Sequence, residues 1–166
     1  LLHLSDYAAS ERTFQVLTQV AGRCGRGDRP GQVILQTYSP ENPVIQAVQQ
    51  QDYVAFVQAE LRQRALLHYP PCGHLILLRF ASPHPVAVQQ AAERVATALA
   101  AHLPATVDRL GPAPATILKV AGRYRWQLLL KFPLHLTPEL PDRAALQALC
   151  PSNVSLLIDV DPIAIG

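Results

Sequence analysis

Three side chains near the start of the sequence, Gln19, Arg23 and Arg26, have types and a spacing that suit phosphate binding. They stand four and three residues apart, so on a helix they would share one stripe. That stripe presents one amide and two guanidinium groups, and a guanidinium bonds two oxygens of one phosphate at once. Gly22 and Gly25 lie among them although glycine costs a helix about 1 kcal/mol relative to alanine, which indicates close approach of a ligand or backbone. The pattern favours a ligand with several acceptor oxygens, such as a triphosphate.

A simpler interpretation is that these arginines cover the exposed end of a helix. Positive side chains near a helix C-terminus interact favourably with the helix dipole. A short Gly-Arg-x-Gly-Arg pattern also occurs by chance, so the pattern alone leaves both interpretations open.

A second segment, residues 109–135, carries basic residues and no acidic one: Arg109, Lys119, Arg123, Arg125 and Lys131. In a strand, alternation would place Arg123 and Arg125 on one face and Tyr124 and Trp126 on the other. The arginine face would contact phosphates, and the aromatic face would pack against a helix. We therefore predict that Arg123, Arg125 and the two lysines bind DNA and that Trp126 packs in the core. Simple surface exposure of the arginines, and stacking of the aromatic rings on bases, remain alternatives.

The sequence lacks motifs that other chemistries need. It has no GxxxxGK[ST] loop for nucleotide phosphates and no acidic box for magnesium, so we predict that the chain by itself hydrolyses no ATP. Cys24, Cys72 and Cys150 form no CxxC pair, and no metal site is expected. Three cysteines cannot all pair, which indicates a reducing, cytosolic compartment, and we expect all three to be small buried side chains.

Composition favours a soluble globular chain. The 166 residues are 49% apolar, and the mean hydropathy of +0.13 is compatible with a buried core. No apolar run approaches the roughly 20 residues that span a bilayer. The net charge is only +2, but arginine far outnumbers lysine, which favours bidentate contacts with phosphate or carboxylate. The sequence contains no methionine, so we expect a processed chain or a fragment.

The basic segments must be positioned by a chain of several parts. Residues 1–48 are predicted to contain a strand remnant, a helix, a strand over residues 31–37 and a short helix. This is typical of the end of a larger α/β domain, because so few strands cannot bury both faces of a sheet. Residues 49–73 are predicted to form a connecting helix and a proline loop.

Residues 74–166 have the order strand, helix, two strands, helix, strand, which predicts a ferredoxin-like C-terminal domain (β-α-β-β-α-β) and an α+β protein. A turn at Gly122 and Arg123 would join the two middle strands. The predicted bounds are strands at 74–80, 116–121, 124–132 and 154–160, and helices at 85–103 and 138–149.

The segment DYAASERTFQVLT followed by QVAGRCGR resembles motif VI of superfamily 2 helicases, and the chain as a whole is similar to the PriA family of replication restart helicases. The resemblance covers nearly the whole chain. It implies that residues 1–48 are the end of a RecA-like α/β helicase lobe 2 and that residues 74–166 are the family's C-terminal domain. The stretches that carry it are GQVILQTYSPENPVIQAV, DYVAFVQAELRQRALLHYPPCGHLILLRF, GPAPATILKVAGRYRWQLLLKFP and LLIDVDPIAIG.

The resemblance also implies roles for the first three side chains. Arg26 would be the arginine finger that reaches the γ-phosphate of ATP bound on the other lobe, Arg23 a companion phosphate contact, and Gln19 a coupling residue that faces the cleft. One such arginine accelerates phosphoryl transfer by about 10³ to 10⁵. Cys24 stands where alanine is usual. The implied cofactors are ATP and Mg²⁺, with their main site outside this chain, and Zn²⁺, whose ligands also lie outside it.

The implied function is that of a C-terminal fragment of an ATP-dependent 3'-to-5' DNA helicase acting in replication restart and primosome assembly at stalled forks. The implied partners are branched or forked DNA, single-stranded DNA-binding protein, primosome proteins and the replicative helicase. The implied setting is the bacterial cytoplasm near the nucleoid, with no membrane and a monomeric protein. Residues 134–138 lack the basic character that this stretch has in some relatives. The resemblance therefore does not carry docking of the acidic tail of single-stranded DNA-binding protein over to these residues. The alternative is a stand-alone nucleic-acid or protein binding module without catalytic activity.

Overall fold

The computed structural model describes residues 7–24, 32–163 and 165. The chain divides into two compact units, with the boundary between Gln63 and Arg64. Among the described residues, no helix combines the length and apolar character needed to cross a membrane.

The unit of residues 7–63 is helical. Its elements are α1 (Ala9–Ala21), α2 (Pro43–Gln50) and α3 (Tyr53–Leu66), the last of which extends past the unit boundary. Its core centres on Phe14 of α1, whose ring stacks on Phe56 of α3 with the centroids 4.3 Å apart. Side-chain oxygens cap two of the helices: Asn42 accepts a hydrogen bond from the backbone N–H of Val44, and Asp52 accepts one from that of Ala55.

The strand predicted over residues 31–37 is wrong for residues 32–37, which form no strand; Gly31 lies outside the described residues. Ile34 in this segment is 85% exposed. A strand needs a neighbour to satisfy its N–H and C=O groups, and no described strand pairs with this segment. The branched side chains of this segment were therefore not sufficient to predict a strand.

The unit from Arg64 onward contains an antiparallel sheet and two helices, so the α+β class is confirmed. The strands lie in the order β2-β3-β1-β4, and every neighbouring pair is antiparallel. In chain order the elements are β1 (Gly73–Ser82), α4 (Pro85–His102), β2 (Asp108–Val120), β3 (Arg123–Pro133), α5 (Arg143–Ala148) and β4 (Ser155–Val160).

The core of this unit lies between one face of the sheet and the two helices. Members of the core cluster recur three or four apart along α4 and every second residue along β1 and β3, so each element turns an apolar side toward this core. The residues between them, Leu75, Leu77 and Leu129, are buried on the other face of the sheet. Leu146 of α5 joins the same cluster. Fully buried members from α4, β1 and β3 are Val88, Ala91, Ala92, Val95, Leu99, Leu78, Phe80, Leu128 and Leu130.

The hairpin turn differs from the predicted one by one residue. It consists of Ala121 and Gly122, with φ of 47° and 79°, and Arg123 already begins β3. Two residues with positive φ match the twist of a two-residue hairpin, which explains why Gly122 stands in the second place.

Helix α5 is shorter than the predicted span of 138–149. Residues 134–142 form no helix, and Asp142 takes the N-cap position. Pro138 and Pro141 lie in this stretch, and a proline disfavours helical backbone in the residue before it.

Candidate nucleic-acid interface

Strand β3 divides its side chains between the two faces of the sheet. Tyr124 and Trp126 pack against the core beneath the helices, so the predicted packing of Trp126 is confirmed. Arg123 and Arg125 alternate with them and therefore point to the opposite face, which we call the open face. Only the end of this face that carries the arginines is accessible, because Leu75, Leu77 and Leu129 of the same face are buried. Both arginine side chains are half-buried.

A third arginine belongs to the open face, and sequence reasoning missed it. Arg79 lies on β1, where its neighbours Leu78 and Phe80 face the core. The pairing register places Arg79 opposite Gln127 of β3 and places Arg125 opposite Ala81, two residues further along β1. Residues that are diagonal across two strands are within reach of long side chains. The sequence feature that could have identified Arg79 is its position as an arginine within the apolar run of β1.

Arg123 and Arg125 differ in what they contact. The Nη2 of Arg123 donates a hydrogen bond of 2.7 Å to the backbone oxygen of Ala81 and one of 3.3 Å to Oγ of Ser155. These contacts hold its guanidinium across the sheet toward β4. The side chain of Arg125 makes no hydrogen bond or ion pair with any described residue. Its donors are therefore available to a ligand.

A carboxylate of β4 lies close to one arginine of the open face. Oδ2 of Asp159 on β4 lies 3.7 Å from Nη1 of Arg79. Among the described residues, the ion pair of Arg79 with Asp159 offsets part of the positive charge of the three guanidinium groups, and the remaining positive charge suits a phosphate or another carboxylate.

Lys131 lies at the other end of the open face. It is six residues from Arg125, or roughly 20 Å along the strand. Its side chain is only 6% exposed, its Nζ donates to the backbone oxygen of Leu67 at 3.2 Å, and it lies 4.0 Å from the centroid of the Tyr69 ring. These contacts give Lys131 a packing role that Arg125 does not have.

Lys119 lies on the opposite side of the sheet from the two arginines. The register pairs it with Tyr124, whose ring centroid is 4.7 Å from its Nζ. The structure thus brings Arg123 and Arg125 together, adds Arg79 to them, and places Lys119 and Lys131 elsewhere.

In the unit of residues 7–63, Gln19 lies in α1 and Arg23 lies two residues past its end. Helix α1 ends at Ala21, and the N–H groups of Arg23 and Cys24 bond to oxygens three residues back, as in a 3₁₀ turn. Gly22 has φ of −71°, so its backbone does not require glycine.

The phosphate-binding prediction for this segment remains untested. Arg26 and Gly25 lie outside the described residues. Gln19 and Arg23 are exposed, and an exposed guanidinium is a donor set that fits a phosphate. A Cβ on Gly22 would meet only the oxygens of Thr18, at 3.4 Å, and Gln19, at 3.9 Å. The structure therefore shows no tight cradle at Gly22.

The cysteines are less buried than expected. Cys24 is exposed, so the expectation of three buried thiols is wrong for it, and Cys72 and Cys150 are partly buried. Burial raises the pKa of the Cys150 thiol, and the positive charge of Arg94 opposes that shift. Among the described residues, no group of three or more His, Cys, Asp or Glu is placed to hold a metal ion.

Comparison of the sequence with known proteins identifies the family of this chain. Residues 65–163 match the family model described as the primosomal protein N C-terminal domain. Proteins named Replication restart protein PriA are similar to the chain: one from Synechocystis is 52% identical over 165 residues, covering 99% of this chain and 20% of the relative. The corresponding protein from Haemophilus influenzae is 36% identical over 159 residues, covering 95% and 22%. The protein from Bacillus subtilis is 39% identical over 131 residues, covering 79% and 16%.

The chain therefore spans about a fifth of the length of the relatives it matches. The family model covers more than half of the chain, and the similarity to the Synechocystis relative extends through both units. On these grounds the chain belongs to the PriA family, with residues 65–163 as its primosomal protein N C-terminal domain.

Proposed function

We propose that this chain is the C-terminal part of a replication restart protein and that its open face binds branched or forked DNA. The observation that carries the DNA contact is the grouping of Arg79, Arg123 and Arg125 at one end of one sheet face. The names of the relatives support the role in replication restart. Because similarity continues through residues 1–63, a stand-alone binding module is the less favoured alternative.

The three arginines contribute differently to the proposed contact. Arg125 binds a backbone phosphate directly, since no described residue occupies its donors. Arg123 keeps Nη2 on Ala81 and offers its remaining N–H groups. Arg79 exchanges part of its interaction with Asp159 for a phosphate. Such contacts fix the position of DNA without reading its sequence, which suits recognition of a branched structure.

For the first unit we propose that Arg26 and Arg23 contact the γ-phosphate of ATP and that Gln19 couples this contact to the cleft. ATP and Mg²⁺ would be bound by a part of the longer protein that this chain does not include, and the family's Zn²⁺ ligands would lie there too. The exposure of Arg23 supports this role. The guanidinium groups would stabilise negative charge that develops on the transferred phosphoryl group.

The wider assignment follows the same family. We propose that the sheet domain is ferredoxin-like, which the element order and the strand order β2-β3-β1-β4 support, and that residues 1–48 end a RecA-like lobe. The complete protein would be a 3'-to-5' DNA helicase that works in the bacterial cytoplasm with primosome proteins and the replicative helicase.

Fork binding by the 166-residue chain tests the proposed function. The double variant Arg79→Gln, Arg125→Gln should bind a fluorescent fork about tenfold more weakly, with a salt slope reduced by about 2, between roughly 50 and 200 mM salt. The matched control, Arg94→Gln with Arg143→Gln, removes the same charge from α4 and α5 and should change little. Unchanged affinity and slope in the first variant would refute DNA binding by the open face.

A second candidate ligand is the acidic tail of single-stranded DNA-binding protein. The pair of Arg79 with Asp159 shows that the open face already accommodates a carboxylate, and Gln127 lies beside it with donors of its own. A synthetic acidic peptide should then displace fork DNA from the chain, and the Arg79→Gln, Arg125→Gln variant should lose the peptide as well. Peptide binding without competition would place the tail elsewhere.

A further inference from the structure

The tip of the β2–β3 hairpin, residues 116–125, carries exposed aliphatic side chains that no described residue covers. Ile117 is 59% exposed, Leu118 46% and Val120 44%. The two-residue turn that follows is open, since a Cβ on Gly122 would meet no atom within 4 Å. Isolated exposed aliphatic residues are common, but three within four residues at the end of a hairpin form a patch.

An irregularity in the sheet presents this patch. The register pairs Pro114 with Trp126 and Lys119 with Tyr124, so four residues of β2 stand against one residue of β3, Arg125. Extra residues in one strand leave the ladder and redirect their side chains. Ala115 remains buried, whereas Ile117 and Leu118 are displayed at the surface.

One cation lies among the aliphatic side chains. Lys119 lies between Leu118 and Val120 in sequence, and residues 109–135 contain no acidic residue that would oppose its charge. A surface of this kind complements a polyanion that also exposes apolar faces. Nucleic acid with unstacked bases has both properties, since a phosphate pairs with the cation and aliphatic side chains insert between bases.

The hairpin tip is poorly suited to an extended peptide. Pro112 and Pro114 have no N–H to donate, and the register shifts on either side of them interrupt the edge of β2. A peptide therefore cannot add a regular strand along this edge. The tip is also an end of the hairpin rather than a groove.

We propose that the hairpin tip recognises the junction between single-stranded and double-stranded DNA, with Ile117 and Leu118 inserting at the unpaired base step and Lys119 binding an adjacent phosphate. This inference rests on the proposed DNA-binding function and adds the feature of the DNA that is recognised. It assigns the arginines of the open face to overall affinity and the hairpin tip to preference for a junction.

The test compares two DNA ligands with the complete 166-residue chain. One is a fork with unpaired arms, and the other is the same duplex without arms; both carry 2-aminopurine at the junction position. We expect tighter binding to the fork and a rise in 2-aminopurine fluorescence as the base unstacks. In the variant Ile117→Ser, Leu118→Ser, the fork-to-duplex affinity ratio should fall at least about fivefold and the fluorescence rise should disappear.

Leu134→Ser is the matched control, since Leu134 is also 59% exposed but lies outside the hairpin. It should leave the ratio and the fluorescence unchanged. If the double variant lowers the midpoint of thermal unfolding, the affinity ratio and the fluorescence are measured on Val120→Ser instead, which changes the aliphatic residue on the other side of Lys119.

Several outcomes would overturn the inference. Junction recognition is refuted if the unsubstituted chain binds fork and duplex equally, or if the double variant keeps the same fork-to-duplex affinity ratio. Neither result would contradict the proposed contact of the arginines with DNA. If the unsubstituted chain binds an aspartate-rich peptide, and the double variant loses this peptide but still binds the fork, the tip is a protein-docking surface instead. Absence of all DNA binding would refute the proposed function and this inference together.

Discussion

The guanidinium of Arg79 and the carboxylate of Asp159 lie 3.7 Å apart on the open face of the sheet, joining the central strand β1 to the edge strand β4. The register places Arg79 opposite Leu157, so the two charged residues are diagonal neighbours. The carboxylate neutralises part of the positive charge at the place where a phosphate is proposed to bind. Asp159 is therefore an internal competitor of the ligand.

Replacing that carboxylate should strengthen DNA binding. We expect Asp159→Asn to bind fork DNA about two- to fivefold more tightly at low salt, with the gain shrinking as salt rises, because screening weakens the repulsion that the variant removes. Fluorescence anisotropy over a salt series measures this. Asp142→Asn is the control, since Asp142 is exposed and makes no side-chain capping bond. Equal gains in both variants would indicate a net-charge effect and not competition at Arg79.

The two arginines of β3 should separate stability from binding. Arg123→Ala loses the hydrogen bonds to Ala81 and Ser155 and should lower the free energy of unfolding by about 1–2 kcal/mol. Arg125→Ala loses no such bond and should change it by less than about 0.5 kcal/mol while weakening fork binding. Urea unfolding and fork binding, measured on both variants, check this. An equal loss of stability in the two would contradict the assigned contacts.

Much of the sheet domain was predictable because its elements show clear periodicity. The alternation of Arg123, Tyr124, Arg125 and Trp126 predicts which side chains face the core, and the structure agrees for Trp126. The helix of residues 85–103 was also predictable, since its apolar residues recur three or four apart. Local patterns of this kind depend on few long-range contacts.

The features that were missed depend on pairing between distant residues. Arg79 joins the arginines of β3 only through the register of β1 with β3, which no local pattern of β1 reveals. Lys131 has the charge of a DNA-binding residue but is buried against Leu67 and Tyr69, more than sixty residues earlier. The branched residues of 32–37 resemble a strand, but a strand also needs a partner, which the sequence of one segment does not specify.

Lys131 should matter for stability and not for DNA. Lys131→Met keeps an apolar stem but leaves the oxygen of Leu67 without its donor and removes the charge over the Tyr69 ring. We expect a loss of about 1–3 kcal/mol in the free energy of unfolding, with fork affinity unchanged under native conditions. Lys119→Met, at an exposed position, is the control and should cost little stability. A folded Lys131→Met protein with weakened fork binding would show that this lysine contacts DNA.

The thiols should react in an order set by exposure and by the pKa of Cys150. At pH about 7.5, iodoacetamide should alkylate the exposed Cys24 first and Cys150 slowly, because a raised pKa leaves less thiolate at any given pH. The rate at Cys150 should keep rising as the pH increases toward and beyond the ordinary thiol pKa. Removing the opposing charge with Arg94→Gln should slow Cys150 further, and mass spectrometry of the alkylated peptides measures each site. Faster reaction of Cys150 in that variant would contradict the role of Arg94.

Gly73 and Gly122 should respond differently to the same substitution. A Cβ on Gly73 would lie 2.7 Å from the backbone oxygens of His68 and Phe132, and backbone in a paired strand cannot move away easily, so Gly73→Ala should cost at least about 2–3 kcal/mol of unfolding free energy. Gly122 has φ of +79° and open space around it, so Gly122→Ala should cost only about 1 kcal/mol, from backbone strain alone. Urea unfolding of both variants gives the two values. A larger loss for Gly122→Ala would mean that the hairpin turn, and not the packing of β1 against residue 68, limits the stability of the sheet.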